Sequence, residues 1–325
     1  MEKICAGRAI LVMAGVLVAL LAGLTGYSYQ RDIEQARERI ATGSVIAETA
    51  CGPIEYAVAG IGPPVLIVHA AGGGYDQGLE FGQVLVSRGF RVVAMSRFGY
   101  LRTPLPADAS AAAQADAHAC LLDALHIRRA ALVGASAGAP SSMQFALRHP
   151  DRITALVLLV PVVYVPRPED MPLIQASAGT MFLFDTLLRS DFIFWAANRF
   201  ARPTVIRAML ATPPALMANA EADEQARITN LLEHTLPVSA RRLGLRNDAA
   251  VIFSLERYAL ERIAAPTLIV GMKDDLFGIY DAARYTAVHI PKAHFLGYPS
   301  GGHLWVGRQK EVSSEIAAFL MKRRP

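Results

Sequence analysis

The chain has 325 residues, 53% of them hydrophobic and only 18% charged, with a formal net charge of +4 at pH 7. Such an apolar composition excludes a disordered chain and tilts toward a membrane-associated or lipid-handling protein. Its basic residues are scattered and form no stripe, which argues against nucleic acid as a partner.

Residues 1–8 make a short basic leader containing Lys3 and Arg8. Between Arg8 and Arg31 no charge occurs for 22 positions, residues 9–30. At about 1.5 Å per residue this run spans roughly 33 Å as a helix, the thickness of bilayer hydrocarbon. The pattern suits a signal anchor or a cleavable export signal, with Gly26-Tyr27-Ser28 offering small residues for cleavage. The length of the run favours the anchor. A very short N-terminal tail stays inside, so the globular part is expected on the exported side, periplasmic or extracellular, although Arg31, Arg37 and Arg39 offset the leader's charge. Gln30 to Ala41 carries charge at helical spacing, and residues 31–43 read as a solvated stalk.

The three cysteines, Cys5, Cys51 and Cys120, lack metal-ligand spacing and an even-numbered framework, so Cys51 reads as an exposed thiol in a turn and Cys120 as core filling. Val45–Thr49 and Ile54–Ala59 flank Cys51-Gly52-Pro53 and predict an antiparallel hairpin. Thereafter strand and helix signals alternate. Strands are expected at Val65–Val68, Arg91–Met95, Ala130–Val133 and Ile153–Val160, and helices at Asp76–Ser87, Ala111–Leu125 and Pro140–Arg148. From Pro161 to about Ile263 only short helical stretches punctuated by prolines follow. The alternation then resumes with Thr267–Val270, a helix at Tyr280–His289, His294–Tyr298 and a helix at Lys310–Lys322. This order predicts an α/β domain, a mostly parallel sheet with helices on both faces, formed by residues 44–160 and 264–325 and interrupted by a helical insertion at 161–263.

Functional side chains of an open α/β sheet collect beyond the carboxyl ends of its strands. Three places there are rich in chemistry. Gly134-Ala135-Ser136-Ala137-Gly138 joins a strand to a helix in the form G-x-S-x-G, a tight turn that lifts a serine to the sheet edge. Asp274 and Asp275 follow the strand ending at Val270, and His303 follows the one ending near Tyr298. A serine needs a base to take its proton and a third group to orient the base, so this set suits nucleophilic catalysis. Of the other histidines, His118, His126, His149, His234, His289 and His294 read as packing or surface residues, while His69 closes the strand Val65–Val68 and opens the loop after it.

With Ser136, the acids and His303 in that order, the chain resembles the α/β-hydrolases from about Val45 to Lys322, with the insertion at the position of the family's cap. The resemblance implies a serine nucleophile at Ser136, Asp275 as the acid with Asp274 as alternate, and His303 as the base. Glu169 or Asp170, after Val160, remain fallback acids. It also implies an oxyanion hole from the backbone N–H groups of Ala137 and Ala71, the latter in His69-Ala70-Ala71-Gly72-Gly73-Gly74. That loop has Ala70 where glycine is typical, a strain if the position takes φ > 0. Gly60-Ile61-Gly62 precedes a strand, the triple glycine lacks dinucleotide spacing, and no Walker lysine appears, so no cofactor or metal is expected.

Phe182, Phe184, Phe192, Phe194, Trp195 and Phe200 crowd the insertion, either to roof an apolar pocket or to pack the cap on the core. From Arg167 to Asp248, nine basic residues balance nine acidic ones. The expected partner is a small hydrophobic ester-like substrate, with the membrane engaged through the N-terminal helix. Carbon–carbon bond hydrolysis of the meta-cleavage type, weakly suggested by Arg97-Phe98-Gly99-Tyr100, and a non-catalytic binding protein on the same fold are the alternatives.

Overall fold

The computed structural model describes residues 2–165 and 185–323, and side chains from residue 11 onward. Eight strands form one sheet: β1 (Val45–Thr49), β2 (Gly52–Ala59), β3 (Pro64–Val68), β4 (Arg91–Met95), β5 (Ala130–Ala135), β6 (Ile153–Leu159), β7 (Thr267–Met272) and β8 (Ala293–Tyr298). Their spatial order is β1-β2-β4-β3-β5-β6-β7-β8. β1 and β2 pair antiparallel, as do β2 and β4, and every later pair is parallel. The central strands β3 and β5 are apolar at every position because both faces are covered. Leu66, Val68 and Leu132 point into one core, and Val65, Ile67 and Val133 into the other.

The first core is closed by α3 (Ala111–Ala124), α4 (Ala139–Arg148) and α10 (Tyr280–His289), the second by α2 (Tyr75–Ser87) and α11 (Gln309–Met321). Between β6 and β7 the described residues form helices and no strand: α5 (Asp191–Phe200), α6 (Arg202–Met209), α7 (Pro214–Ala218), α8 (Ala222–His234) and α9 (Arg242–Phe253). Ser190 starts α5 by accepting the Ile193 N–H at 3.3 Å, and prolines open α6 and α7 where a missing N–H costs nothing.

The N-terminal helix α1 (Glu2–Thr42) runs 41 residues without a break, long and apolar enough to cross a membrane. Its leucines at 17, 21 and 24 are more than half exposed. The segment expected to be a solvated stalk is instead docked. Ile33 and Ala36 are buried against Tyr100, Leu188, Trp195 and Leu236. The Trp195 Nε1–H donates to Asp32 at 2.9 Å, Arg39 donates to the Leu236 carbonyl at 2.8 Å, and the Tyr75 hydroxyl donates to the Arg39 carbonyl at 3.0 Å. Tyr29, Ile33 and Ala36 form a stripe at helical spacing, narrow enough to hide among the charges that surround it.

The cysteine expectation also fails for two of the three. Cys51 and Cys120 are joined by a disulfide across a sequence separation of 69, their Cα atoms 6.0 Å apart. The β1–β2 turn lies over α3, a tertiary closeness that neither cysteine's neighbours in sequence disclose.

Candidate active site

Ser136 occupies a turn between β5 and α4 with φ of 46°, a left-handed conformation that costs energy in any residue but glycine. The surroundings enforce it. A Cβ at Gly138 would strike the Val68 carbonyl, and one at Gly134 the Ser142 hydroxyl, so only glycine fits on either side. The turn places Ser136 at the carboxyl end of β5, where its carbonyl accepts the Val162 N–H at 3.1 Å.

The loops after β7 and β8 bring two more groups to this point. His303 Nε2 lies 2.9 Å from Ser136 Oγ, and its Nδ1 lies 2.6 Å from Asp275 Oδ2. All three side chains are buried. The second Asp275 oxygen accepts the Phe277 N–H at 2.9 Å, and the Phe277 ring meets the imidazole edge-on at 4.9 Å. A carboxylate so held fixes the imidazole with its Nδ1 protonated, leaving Nε2 to accept the serine proton. Asp274 turns away from the imidazole. It accepts hydrogen bonds from the Gly301 and Gly302 N–H groups, at 3.0 and 2.8 Å, and from the Ser300 hydroxyl at 2.7 Å, tying down the loop that carries His303. Glu169 and Asp170 lie outside the described residues.

Ala71 and Ala137 both line the cavity beside Ser136. Ala70 is not among the residues with positive φ; that conformation falls on Gly72, at 73°, so the alanine adds no strain there. Three fastenings hold the loop. The Ala70 N–H donates to Gln77 Oε1 at 2.9 Å, the Gly72 N–H to the Tyr100 hydroxyl at 3.2 Å, and Arg241 donates to the Gly73 carbonyl at 2.5 Å.

A buried network backs this loop, and sequence reading missed it. Arg97 donates from its backbone N–H to His69 Nε2 and from Nε to the His69 carbonyl, each at 3.0 Å. Its two terminal nitrogens clasp Asp248 of α9 at 2.5 and 2.8 Å, and the Tyr100 hydroxyl donates to the same carboxylate at 2.5 Å. Burial and then Arg97 hold the His69 pKa well below its ordinary value, so His69 is neutral and serves as a brace. Burial and then Asp248 push Tyr100 well up, which keeps its hydroxyl protonated and able to donate. Arg97 and Asp248 are 151 positions apart, so no local pattern marks the pair. Residues 211 and 212 were missed for the same reason. The Ala211 carbonyl accepts from Leu276 and His303 N–H groups, at 2.9 and 3.4 Å, and Thr212 Oγ1 from Leu304 at 3.2 Å, so one turn of the insertion fastens both the acid and the base loops.

Ser136 and His303 open into a cavity of about 760 Å³. Its described walls are mainly apolar, with Val163, Leu210, Leu231, Leu255, Phe277 and Trp305 among them. Among the described residues, Phe192, Phe194, Trp195 and Phe200 do not line it. Phe194 and Trp195 are buried against α1, Phe192 and Phe200 are exposed, and Phe182 and Phe184 lie outside the described residues. The other histidines stay out of the cavity walls. His118, for example, is buried between Met95 and Ser141, where desolvation lowers its pKa to about 3.

Residues 63–306 match the family described as alpha/beta hydrolase fold. An uncharacterized hydrolase of Bacillus subtilis, YcgS, is 37% identical over 288 residues, 83% of this chain and 95% of that protein. A 2-hydroxy-6-oxononadienedioate/2-hydroxy-6-oxononatrienedioate hydrolase of Paraburkholderia xenovorans is 28% identical over 256 residues, 74% of this chain and 80% of the relative. Among solved structures, an alpha/beta hydrolase fold protein from Nakamurella multipartita superposes with a TM-score of 0.67 at 29% identity, covering 85% of this chain and 98% of its own.

Proposed function

The chain belongs to the alpha/beta hydrolase fold family and is a hydrolase, and from that premise we propose that it cleaves carboxylic ester or thioester bonds of apolar substrates through an acyl-enzyme on Ser136. The observation that carries this reading is the hydrogen-bonded chain Ser136–His303–Asp275 at the edge of a cavity with mainly apolar walls. Ser136 Oγ attacks the carbonyl carbon while its proton passes to His303 Nε2. The carbonyl oxygen becomes an oxyanion facing the N–H groups of Ala71 and Ala137. Collapse breaks the bond to the leaving oxygen or sulfur, which takes the proton from His303. Water then attacks the acyl-enzyme with His303 again as base, releasing the acid and restoring Ser136. Asp275 stabilises the imidazolium throughout.

Carbon–carbon bond hydrolysis is the second reading, favoured by the name of the Paraburkholderia relative, whose substrates are dicarboxylates. The cavity supports it less well. Arg257 is its one described basic wall residue apart from His303, and that guanidinium is already engaged by Glu261 and the Tyr285 hydroxyl.

The apolar run of α1 supports a single-pass membrane anchor, and the disulfide supports an oxidising, exported location for the hydrolase domain. The expected substrate is therefore a small hydrophobic ester available at a membrane.

A fluorophosphonate probe should label the protein, and Ser136→Ala should lose both the label and ester turnover, the latter by several orders of magnitude. With nitrophenyl esters, kcat/KM should rise up to about fourfold for each methylene buried in the cavity. Labelling that persists in Ser136→Ala would overturn the nucleophile. A preference for acetyl over longer esters would overturn the apolar pocket, and faster turnover of a dienoate diketone than of any ester would favour the second reading.

A further inference from the structure

Helix α5 is apolar on the wrong side. Its inner face buries Phe194, Trp195 and Asn198, as an insertion helix should. Its outer face carries Phe192, Ile193 and Phe200, which are 45%, 45% and 70% exposed. At about 100° per residue these three and Ala196 fall on one stripe roughly 100° wide. A water-facing helix would carry polar side chains there, and a contiguous exposed apolar stripe marks a contact surface.

The position of the stripe names the contact. Tyr29, the penultimate residue of the uncharged run, packs its ring against Phe192 at 5.2 Å and Trp195 at 5.6 Å. The exposed stripe of α5 thus meets the end of the uncharged run at Phe192. Arg31 and Arg199 stand exposed at this level, while Asp32 is engaged by Arg31 and Trp195 and Asp191 is buried on Ser239. Glu34 and Glu38 lie farther along α1, away from the uncharged run. Apolar aromatic side chains rimmed by arginine are the composition of a helix lying in the plane of a lipid interface.

We propose that the outer face of α5 is seated in the headgroup–acyl boundary of a phospholipid bilayer beside the α1 span, so that the protein grips the membrane with two elements. The proposal rests on the reading of residues 9–30 as a membrane anchor. It fixes the orientation of the hydrolase domain: the insertion side of the sheet, where the catalytic loops meet, is held at the lipid surface, and the opposite edge points into water.

The test uses the full chain in a Cys5→Ser background, with Cys51 and Cys120 left paired. Single cysteines replace Phe200, Ile193, Leu17 or Ile61 and carry an environment-sensitive fluorophore. Leu17 reports the span, and Ile61, 86% exposed in the turn before β3, reports the far end of the sheet. Proteins are reconstituted in phosphatidylcholine–phosphatidylglycerol vesicles containing lipids with a nitroxide high or low on the acyl chain. An interfacial helix sits about 5–10 Å into the boundary, so probes at 193 and 200 should shift to the blue and lose most emission to the shallow nitroxide. The probe at 17 should be quenched best by the deep nitroxide, and that at 61 by neither. Quenching at 17 without quenching at 193 and 200 overturns the proposal and leaves the anchor standing. No quenching at 17 overturns the anchor reading itself. A blue shift at 193 and 200 that lipids do not quench, and that grows with protein density, assigns the face to a second copy of the chain and also overturns the proposal.

Discussion

Asp274 and Asp275 are neighbours with the same side chain and opposite surroundings. One carboxylate faces an imidazole nitrogen at 2.6 Å, while the other is spent on two backbone N–H groups and a hydroxyl of the loop around it. The two substitutions to asparagine should therefore separate in kind. Asp275→Asn should cut turnover by about 10⁴, because the amide no longer holds the tautomer that accepts the serine proton. Asp274→Asn should show its effect first in stability, since a neutral amide accepts these hydrogen bonds less strongly, at about 1–3 kcal/mol. Steady-state kinetics paired with thermal unfolding checks both. A dead Asp274→Asn with an unchanged melting temperature would exchange the two roles.

At the scale of elements, α1 is one helix in backbone and two in surroundings. Its first part is exposed leucine, and its last three turns are bolted to the insertion and to Tyr75 at the start of α2. A deletion of residues 1–24 should leave the melting temperature unchanged and turn an integral membrane protein into a peripheral one that alkaline carbonate strips from vesicles. A deletion of residues 1–43 should lower stability by at least about 3 kcal/mol, from the lost burial of Ile33 and the lost hydrogen bonds of Asp32 and Arg39. Equal urea midpoints for the two truncations would refute the docking of α1. This element also shows where sequence reading stops. The strands were legible because the apolar runs Val65–Val68 and Ala130–Val133 are set by burial on both faces, and the elbow because glycine is demanded at 134 and 138 by backbone sterics. The positions of Ser136, Asp275 and His303 follow from that strand order. The docked face of α1, the Arg97–Asp248 clasp and the Cys51–Cys120 bond were illegible because each joins segments whose own neighbourhoods look ordinary. The roles of the insertion's aromatics stayed open for a related reason. Composition places them in the insertion but does not say which way each faces.

Across the whole molecule, the disulfide is the one covalent tie between the sheet's antiparallel edge and the helices that cover it among the described residues. By loop-closure entropy a bond across that separation restricts the unfolded chain by about 4 kcal/mol. The double substitution Cys51→Ser/Cys120→Ser should therefore lower the unfolding free energy by about 2–4 kcal/mol while leaving kcat nearly unchanged, since neither sulfur touches the site. An intact melting temperature after reduction would show that the bond does not form in solution. The ring it closes encloses β3, the loop at Ala71, α2, β4 and the exposed stretch from Pro104 to Asp108. A protease that nicks that stretch divides the polypeptide without dividing the molecule. The two fragments stay linked through sulfur until a reductant arrives, so a cut chain would still travel as one piece on a gel run without thiol.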